Sequence, residues 1–471
     1  MSKGVVKLLL NPTVDKSGDS FEAILPDNIA IINCDITPLK NMTRRWGYEE
    51  AYATGELSRC SLVIDVDPGY AVMENGWIYR LDTLVKLTTK MIGKQGDEEY
   101  HPQFEIMNGM VIIADGGDMV KIQNGDSSLL GGNPPKAKFI GKIGDRIIVS
   151  GYKDADGEYS EVSYCSNGNP EEWLEGDSGF FSICKNTSAG VKMMKVNASY
   201  VYFFKEKDTE VFSLVGGDVM FQRHDAACFD IGIKAPYSLV KSLNSLLWLG
   251  HTGDIYELAG GQPQIISIKY KQMISELNYK EELLGFDFYK EYKIRWLAQT
   301  EGKCIVYDYL NKLWSEENTW DNNDFQRMPF NSMAYINDEC YVGSYIEDGK
   351  IYRLSKDVAT DNGLPIRCVR QFRLIPFMNG DTRGTIDKID IRVKRGVATA
   401  SETTPQLEID IRTDYGEWVK FYIDLGINSD QDPYKCIYPG LYGSEFEFKI
   451  IETDAIDYLM SDMTVAFQGN S

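Results

Sequence analysis

Apolar and polar positions along this chain fall into short alternating runs broken by tight turns. LLWLGHTGDIYEL, residues 246–258, shows the unit most clearly: an apolar strand, a polar turn around Gly253, and a second strand with alternating apolar residues. That is the pattern of a β-hairpin. AVMENGWIYRL at 71–81, MVIIADGGDMVKI at 110–122, YVYFFKEKDTEVFSL at 200–214, CIVYDYLNKLWS at 304–315 and CYVGSYIEDGKIYRL at 340–354 repeat it. A more open version pairs RIIVSGY with EVSYCS across the turn KDADGE at 153–158. One residue early in each second strand gives Ile78, Val120, Val162, Val211, Ile255, Leu313 and Ile351, with successive gaps of 42, 42, 49, 44, 58 and 38. A period in the forties with one hairpin per unit predicts β-propeller blades, each built from about four short strands. We expect six or seven blades over 55–360.

Helical periodicity is scarce. IKYKQMISELNYKEELLGF, 268–286, carries the strongest, and it falls in the 58-residue gap, so it predicts a helical insertion between blades. Residues 1–54 carry weaker strand signals and are expected to serve as an interface or to close the propeller. After the polar linker SKDVATDNG at 355–363 the texture changes. PIRCVRQFRLIPF, TIDKIDIRVKRG, QLEIDIRTDYGEWVKFYIDL, FEFKIIE and MTVAFQ alternate without the blade turn, which predicts an antiparallel β-sandwich over 361–471. The expected class is all-β.

Composition narrows the function. An apolar share of 43% over 471 residues suits folded domains rather than disorder. No run reaches the ~18 apolar residues of a spanning helix, and the opening residues lack the long apolar core of a secretion signal, so synthesis in a cytoplasm is expected. Nine cysteines, none in a C-x-x-C pair, read as small buried hydrophobes in a reducing compartment. Seventy acidic against 49 basic residues give a net charge of −21. Such a chain has no electrostatic reason to grip nucleic acid, because phosphate affinity comes from lysine and arginine displacing counterions.

Candidate chemistry is sparse. His101, His224 and His251 lie in different expected blades, and none has a neighbouring ligand at metal spacing. No nucleophile elbow, phosphate loop or dinucleotide fingerprint occurs. DADGE at 154–158 lacks the third acidic position, the closing glutamate and the flanking helices of a calcium loop, so it reads as a turn. TDYGEW resembles the turn motif of sialidases, in which Asp414 and Gly416 would shape a hairpin tip and Trp418 would sit beneath it. Arg44, Arg45 and Trp46 form the most basic short patch near the start, a candidate contact for a partner or a DNA phosphate. No catalytic residue, cofactor site or metal site is expected.

YVYFFKEKDTEVFSLVGGD, followed by CFDIGIKAPYSLVKSLNSLLWLGHTGDIYELAGGQPQIISI, resembles the central segment of packaged-DNA stabilisation proteins of short-tailed phages, also called tail hub or nozzle proteins. The matching positions are Glu210–Leu214, the hairpin from Leu247 to Tyr256, and the exit Ile266, Ser267, Ile268 and Lys269. VSYCSNGNPEEW at 162–173 is similar to a blade edge of propeller-bearing phage structural proteins. The chain departs from the family at its start and late in the sandwich, where YGSEFEFKI replaces the expected arginine–tryptophan element. The resemblance implies a virion component rather than an enzyme: a homo-hexameric ring below the portal and its adaptor. It would extend the DNA channel, retain packaged DNA without binding it tightly, and carry a distal needle, spike or fibre. A different phage tail or fibre-attachment scaffold, and a carbohydrate-binding or carbohydrate-active propeller, are the alternatives.

Overall fold

A computed structural model describes residues 3–9, 24–36, 41–93, 101–153, 159–183, 190–217, 219–268, 271–275, 282–297, 304–375, 383–395, 404–426, 434–456 and 458–469. Two compact units divide the chain. Unit 2 holds Glu50–Glu301 and Pro329–Leu354; unit 1 holds Met1–Glu49, Gly302–Met328 and Ser355–Ser471.

Unit 2 is a β-propeller. Five four-stranded antiparallel sheets follow one another, each with its strands in chain order. Their first strands are Cys60–Ile64, Gln103–Met107, Phe139–Ile143, Met193–Asn197 and Val240–Ser242, and we number these blades 1 to 5. Blade 6 contributes Leu284–Phe288 paired with Lys293–Leu297. Blade 7 is Phe330–Ile336, Glu339–Ser344 and Lys350–Ser355, and the N-terminal strand Gly47–Ala53 supplies its fourth place. The Thr54 N–H donates to the Gly349 carbonyl at 3.0 Å, and Lys350 pairs with Glu50 at 2.8 Å. A strand from one end of the unit thus locks onto a sheet from the other.

The blade faces explain the repeat. Strands in the middle of each sheet are apolar on both sides because both sides meet another blade. Val72 and Ile78 of blade 1 share a cluster with Ile113 and Val120 of blade 2. Ile112 and Met110 of blade 2 meet Ile147 and Val149 of blade 3. Blades 3, 4 and 5 share one cluster, in which Trp248 lies between Phe204 at 5.1 Å and Tyr256 at 5.8 Å. Blade 6 touches blade 5 through Val240–Ser242 and blade 7 through Phe330–Ile336. Cys60, Val63 and Met73 of blade 1 pack with Ala334, Ile336 and Tyr341 of blade 7, so the ring is closed by side chains as well as by the exchanged strand.

In unit 1 two sheets share one hydrophobic cluster. The first contains Lys3–Leu9, Cys34–Ile36, Met42–Arg44, Gly384–Arg395, Tyr434–Ile437, Leu441–Gly443 and Tyr458–Gly469. The second runs Cys304–Asp308, Leu313–Glu316, Ile24–Ile32, Cys368–Ile375, Phe446–Glu452, Gln406–Thr413, Val419–Asp424. Every second residue of the long strands, such as Ile389 and Ile391 against Ile409 and Ile411, points into that cluster.

The 304–315 hairpin forms as expected, Cys304–Asp308 pairing with Leu313–Glu316. In unit 1 Leu313–Glu316 also runs parallel to Ile24–Ile32, with Ile32 opposite Glu316, so that unit takes in strands from the start of the chain as well as from 361–471. Pairing across almost 300 residues leaves no local trace. Within 268–286, among the described residues, helix covers only Lys271–Ser275, and Leu284–Phe288 is a strand. A Cβ on Gly285 would lie 2.4 Å from Val240 and 2.7 Å from the Ser238 carbonyl. Packing against blade 5 selects the extended form over the helical period. DADGE at 154–158 lies outside the described residues.

Candidate functional site

Arg44 and Arg45 do not face a partner; both are buried inside unit 1. Arg45 donates to both carboxylate oxygens of Asp361 at 2.9 and 2.5 Å, to Asn33 Oδ1 at 2.8 Å, to the Trp46 carbonyl at 2.9 Å and to the Asn318 carbonyl at 3.0 Å. Burial by itself would lower the guanidinium's pKa, but the charge and hydrogen bonds of Asp361 raise it on balance and keep it ionised. Arg44 donates to the carbonyls of Val358 at 2.7 Å and Ile456 at 3.4 Å, and Trp46 is half-buried. The expected contact patch is thus an internal clamp. Its counter-charge lies 316 positions away, so nothing near residue 45 announces it.

The TDYGEW turn is structural, with its roles redistributed. Asp414 and Tyr415 take the left-handed conformation at φ 47° and 62°, and the Gly416 N–H returns to the Thr413 carbonyl at 2.8 Å. That is a two-residue hairpin turn in which positive φ falls on Asp414 and Tyr415 rather than on the glycine. Asp414 accepts hydrogen bonds from the hydroxyl and N–H of Ser444 and from the N–H of Glu445, and the Ser444 hydroxyl leads in holding its carboxyl below the usual range.

Around that turn unit 1 presents a cationic and aromatic face. Lys449 sits 4.3 Å and Arg412 4.7 Å from the centre of the Trp418 ring, and Arg373 lies 5.4 Å from that of Tyr415. Tyr415, Tyr422, Tyr434, Tyr438 and Tyr442 are all exposed, Tyr438 to 69%. Val419–Asp424 lies against Tyr434–Ile437, and Gln406–Thr413 against Leu441–Gly443, so the strands that carry these rings are neighbours in unit 1. Alternation put these aromatics on the solvent side of strands. Only the sheet order gathers them.

The residues that carried the phage resemblance build blades. Glu210 is buried and pairs with Lys205 at 2.7 Å and Arg223 at 3.0 Å, while Val211 and Phe212 belong to the core. Ser213 Oγ lies 2.6 Å from His224 Nε2, and His251 Nδ1 accepts from the Gly232 N–H. Among the described residues no group of three or more His, Cys, Asp or Glu could hold a metal ion, and no helix is long and apolar enough to cross a membrane.

The axial region of unit 2 holds a cluster that the sequence reading missed. First strands of neighbouring blades touch: Gln103–Met107 meets Phe139–Ile143, which meets Met193–Asn197, and Val240–Ser242 meets Leu284–Phe288. On them stand Glu105, Lys142, Lys195, Lys241 and Asp287, one to each of blades 2 to 6. Burial raises the Glu105 carboxyl against the pull of Lys195, of the Lys142 N–H and ammonium, and of Lys241. Burial lowers the Lys195 ammonium, Lys241 adds repulsion, and Glu105 opposes both. Asp287 is pushed up to about 6 by burial, against the pull of the neighbouring Ser242 hydroxyl. A signal existed: each residue sits one or two positions before the last paired residue of its strand, ahead of the blade's first turn.

No protein-family model and no curated protein matches the sequence. Solved structures with similar folds share little sequence. The N-terminal domain of Nup159 is 8% identical with a TM-score of 0.37, over 66% of this chain and 95% of that one. The Pan2 WD40 domain of Neurospora crassa is 9% identical with a TM-score of 0.35, over 68% and 97%. The extracellular domain of BT3049, a putative hybrid two-component system of B. thetaiotaomicron, is 11% identical with a TM-score of 0.43, over 80% of this chain and 48% of that one.

Proposed function

We propose that this chain is a structural virion protein of a phage tail, a nozzle or hub that assembles as a homo-hexameric ring below the portal-adaptor. In this reading it extends the DNA channel and carries a distal needle, spike or fibre. One observation of the molecule supports an assembly role above all: the cationic and aromatic face of unit 1. Tyrosine, tryptophan and arginine are the residues that dominate protein–protein interfaces, because they bury large area at low entropic cost and keep a polar handle. The motif in blades 4 and 5 supplies the phage-tail part, as a resemblance. The charge of −21 fits a wall past which DNA slides.

Native mass spectrometry of the full chain, alone and with the adaptor ring of the same virion, tests it. A hexamer on the adaptor is expected, and Trp418→Ala with Tyr438→Ser should abolish it while leaving the monomer folded. A monomer under both conditions overturns the proposal. Duplex DNA should bind poorly at ~150 mM salt, where screening acts within ~8 Å.

A second reading rests on a separate feature of unit 1. A cleft of about 310 Å³ is lined by Gln406, Glu408, Tyr422, Thr453 and Asp454 among others. An exposed tyrosine ring beside carboxylate, amide and hydroxyl groups is the chemistry that holds a sugar ring. Saturation-transfer NMR against a panel of neutral mono- and disaccharides, with Tyr422→Ala as control, decides whether the cleft binds glycans.

A further inference from the structure

Three lysines on first strands of neighbouring blades share one region of the propeller axis with the carboxylate of Glu105. Lys142, Lys195 and Lys241 lie on the first strands of blades 3, 4 and 5, and all three act electrostatically on Glu105 of blade 2. Among the described residues none of the three ammonium groups makes an ion pair within 4 Å, although paired lysines are common elsewhere in this protein, as at Lys205, Lys121 and Lys350. The only hydrogen bond made by these ammonium groups is a long one, from Lys241 Nζ to the Val196 carbonyl at 3.5 Å. Lys142 and Lys195 are half-buried, so water screens them only in part.

Gathering like charges in a partly dry site costs stability unless an opposite charge arrives. In a chain with 21 excess negative charges, carboxylates are the abundant residue, yet among the described residues Glu105 alone is seen acting with these lysines. Asp287 of blade 6 is a further carboxylate on a first strand, and the group beside it is the Ser242 hydroxyl rather than a lysine. Glu105 has a positioning part. It counters Lys195 most strongly and still leaves an excess of positive charge.

We propose that the axial channel of unit 2 binds a small oxyanion, a phosphate or carboxylate group, between the ammonium groups of Lys142, Lys195 and Lys241. Compact ammonium donors on three different blades suit a multiply charged, roughly tetrahedral or branched oxyanion better than a planar bidentate one, which would favour arginine. Binding would tie blades 3, 4 and 5 together across the axis. The site is independent of the tail-assembly proposal, since unit 2 carries it alone.

Thermal unfolding and isothermal calorimetry of the full chain test this with two probes, inorganic phosphate and citrate, each against sodium chloride at matched ionic strength. A saturable rise in Tm and a measurable heat are expected with at least one probe at millimolar concentration, and which probe binds separates phosphate from carboxylate chemistry. Phosphate also stabilises proteins non-specifically, but without saturation and without dependence on one lysine. Lys195→Met should weaken binding at least tenfold. Should that variant fail to fold, Lys241→Met, at an exposed position, takes its place. Equal responses to phosphate, citrate and chloride in the wild type overturn the proposal. So does a lysine variant that keeps the full anion response.

Discussion

Replacing Asp361 by alanine removes the carboxylate bound to the Arg45 guanidinium and leaves a charge buried in unit 1. Two lines of reasoning set the size of the effect. Asp361 accepts two charge-assisted hydrogen bonds, at 2.9 and 2.5 Å. Bonds of that kind contribute about 1.5–3 kcal/mol each, so their loss amounts to about 3–6 kcal/mol. Independently, removing one partner of a buried ion pair costs about 3–5 kcal/mol. Both point to about 4 kcal/mol. The damage should be local, because the clamp joins Asn33, Arg45, Asn318 and Asp361 from four separated segments. Hydrogen exchange of the full chain is therefore the assay. The amides of Asn33, which donates to Glu316, and of Asn318, which donates to Asn33, should exchange roughly a thousandfold faster, while blade amides of unit 2 stay protected. Arg45→Met with Asp361→Leu should recover most of the protection, because it removes both charges together. Less than about a tenfold change in Asp361→Ala, equivalent to about 1.4 kcal/mol, would refute the clamp. So would a double variant as unprotected as the single one.

Other consequences can be checked separately. Gly285→Ala should destabilise unit 2 by about 1–3 kcal/mol in urea titrations, because the new methyl group meets blade 5. Trp248→Ala should cost about 3–5 kcal/mol, the loss of a fully buried ring stacked among aromatics; a loss under about 1 kcal/mol would mean blades 4 and 5 do not meet there. Asp177 is held at about 2, first by its hydrogen bond from Arg146 and then by the Asn167 N–H. The folded state ionises it more readily, so its stabilisation is present above the usual value of 3.8 and is lost as pH falls towards 2; Asp177→Asn should flatten acid unfolding in that window. Asp287 behaves oppositely. With its carboxyl raised to about 6 by burial, the folded state holds the proton more tightly, so stability declines as pH rises from about 4 through 6, and Asp287→Asn should remove that slope.

How much of this was legible in the residues depends on the range of the interaction involved. Hairpins are local: Leu246–Leu258 and its relatives encode a strand, a turn and a strand within about fifteen residues, and the spacing of such units implies blades. The all-β class and the repeat could therefore be read directly. The insertion at 268–286 could not, since its helical period competes with contacts that Gly285 makes to Val240 and Trp296. Arg44 and Arg45 looked like a surface patch because a basic pair beside a tryptophan is indistinguishable, in sequence, from a buried pair whose carboxylate lies far along the chain.

What the sequence by itself determined is the set of local units: which residues form strands, where they turn, and which side of each strand is apolar. Tertiary structure alone decided how the units were shared out. It sent the 304–315 hairpin to unit 1, set residues 50–53 beside blade 7, put the strands that carry the exposed tyrosines side by side, and brought lysines from three blades to one axis. The physical reason is common to all four. Strand pairing and charge clustering join positions tens to hundreds of residues apart, and a backbone edge or an ammonium group carries no local mark of the partner it will meet.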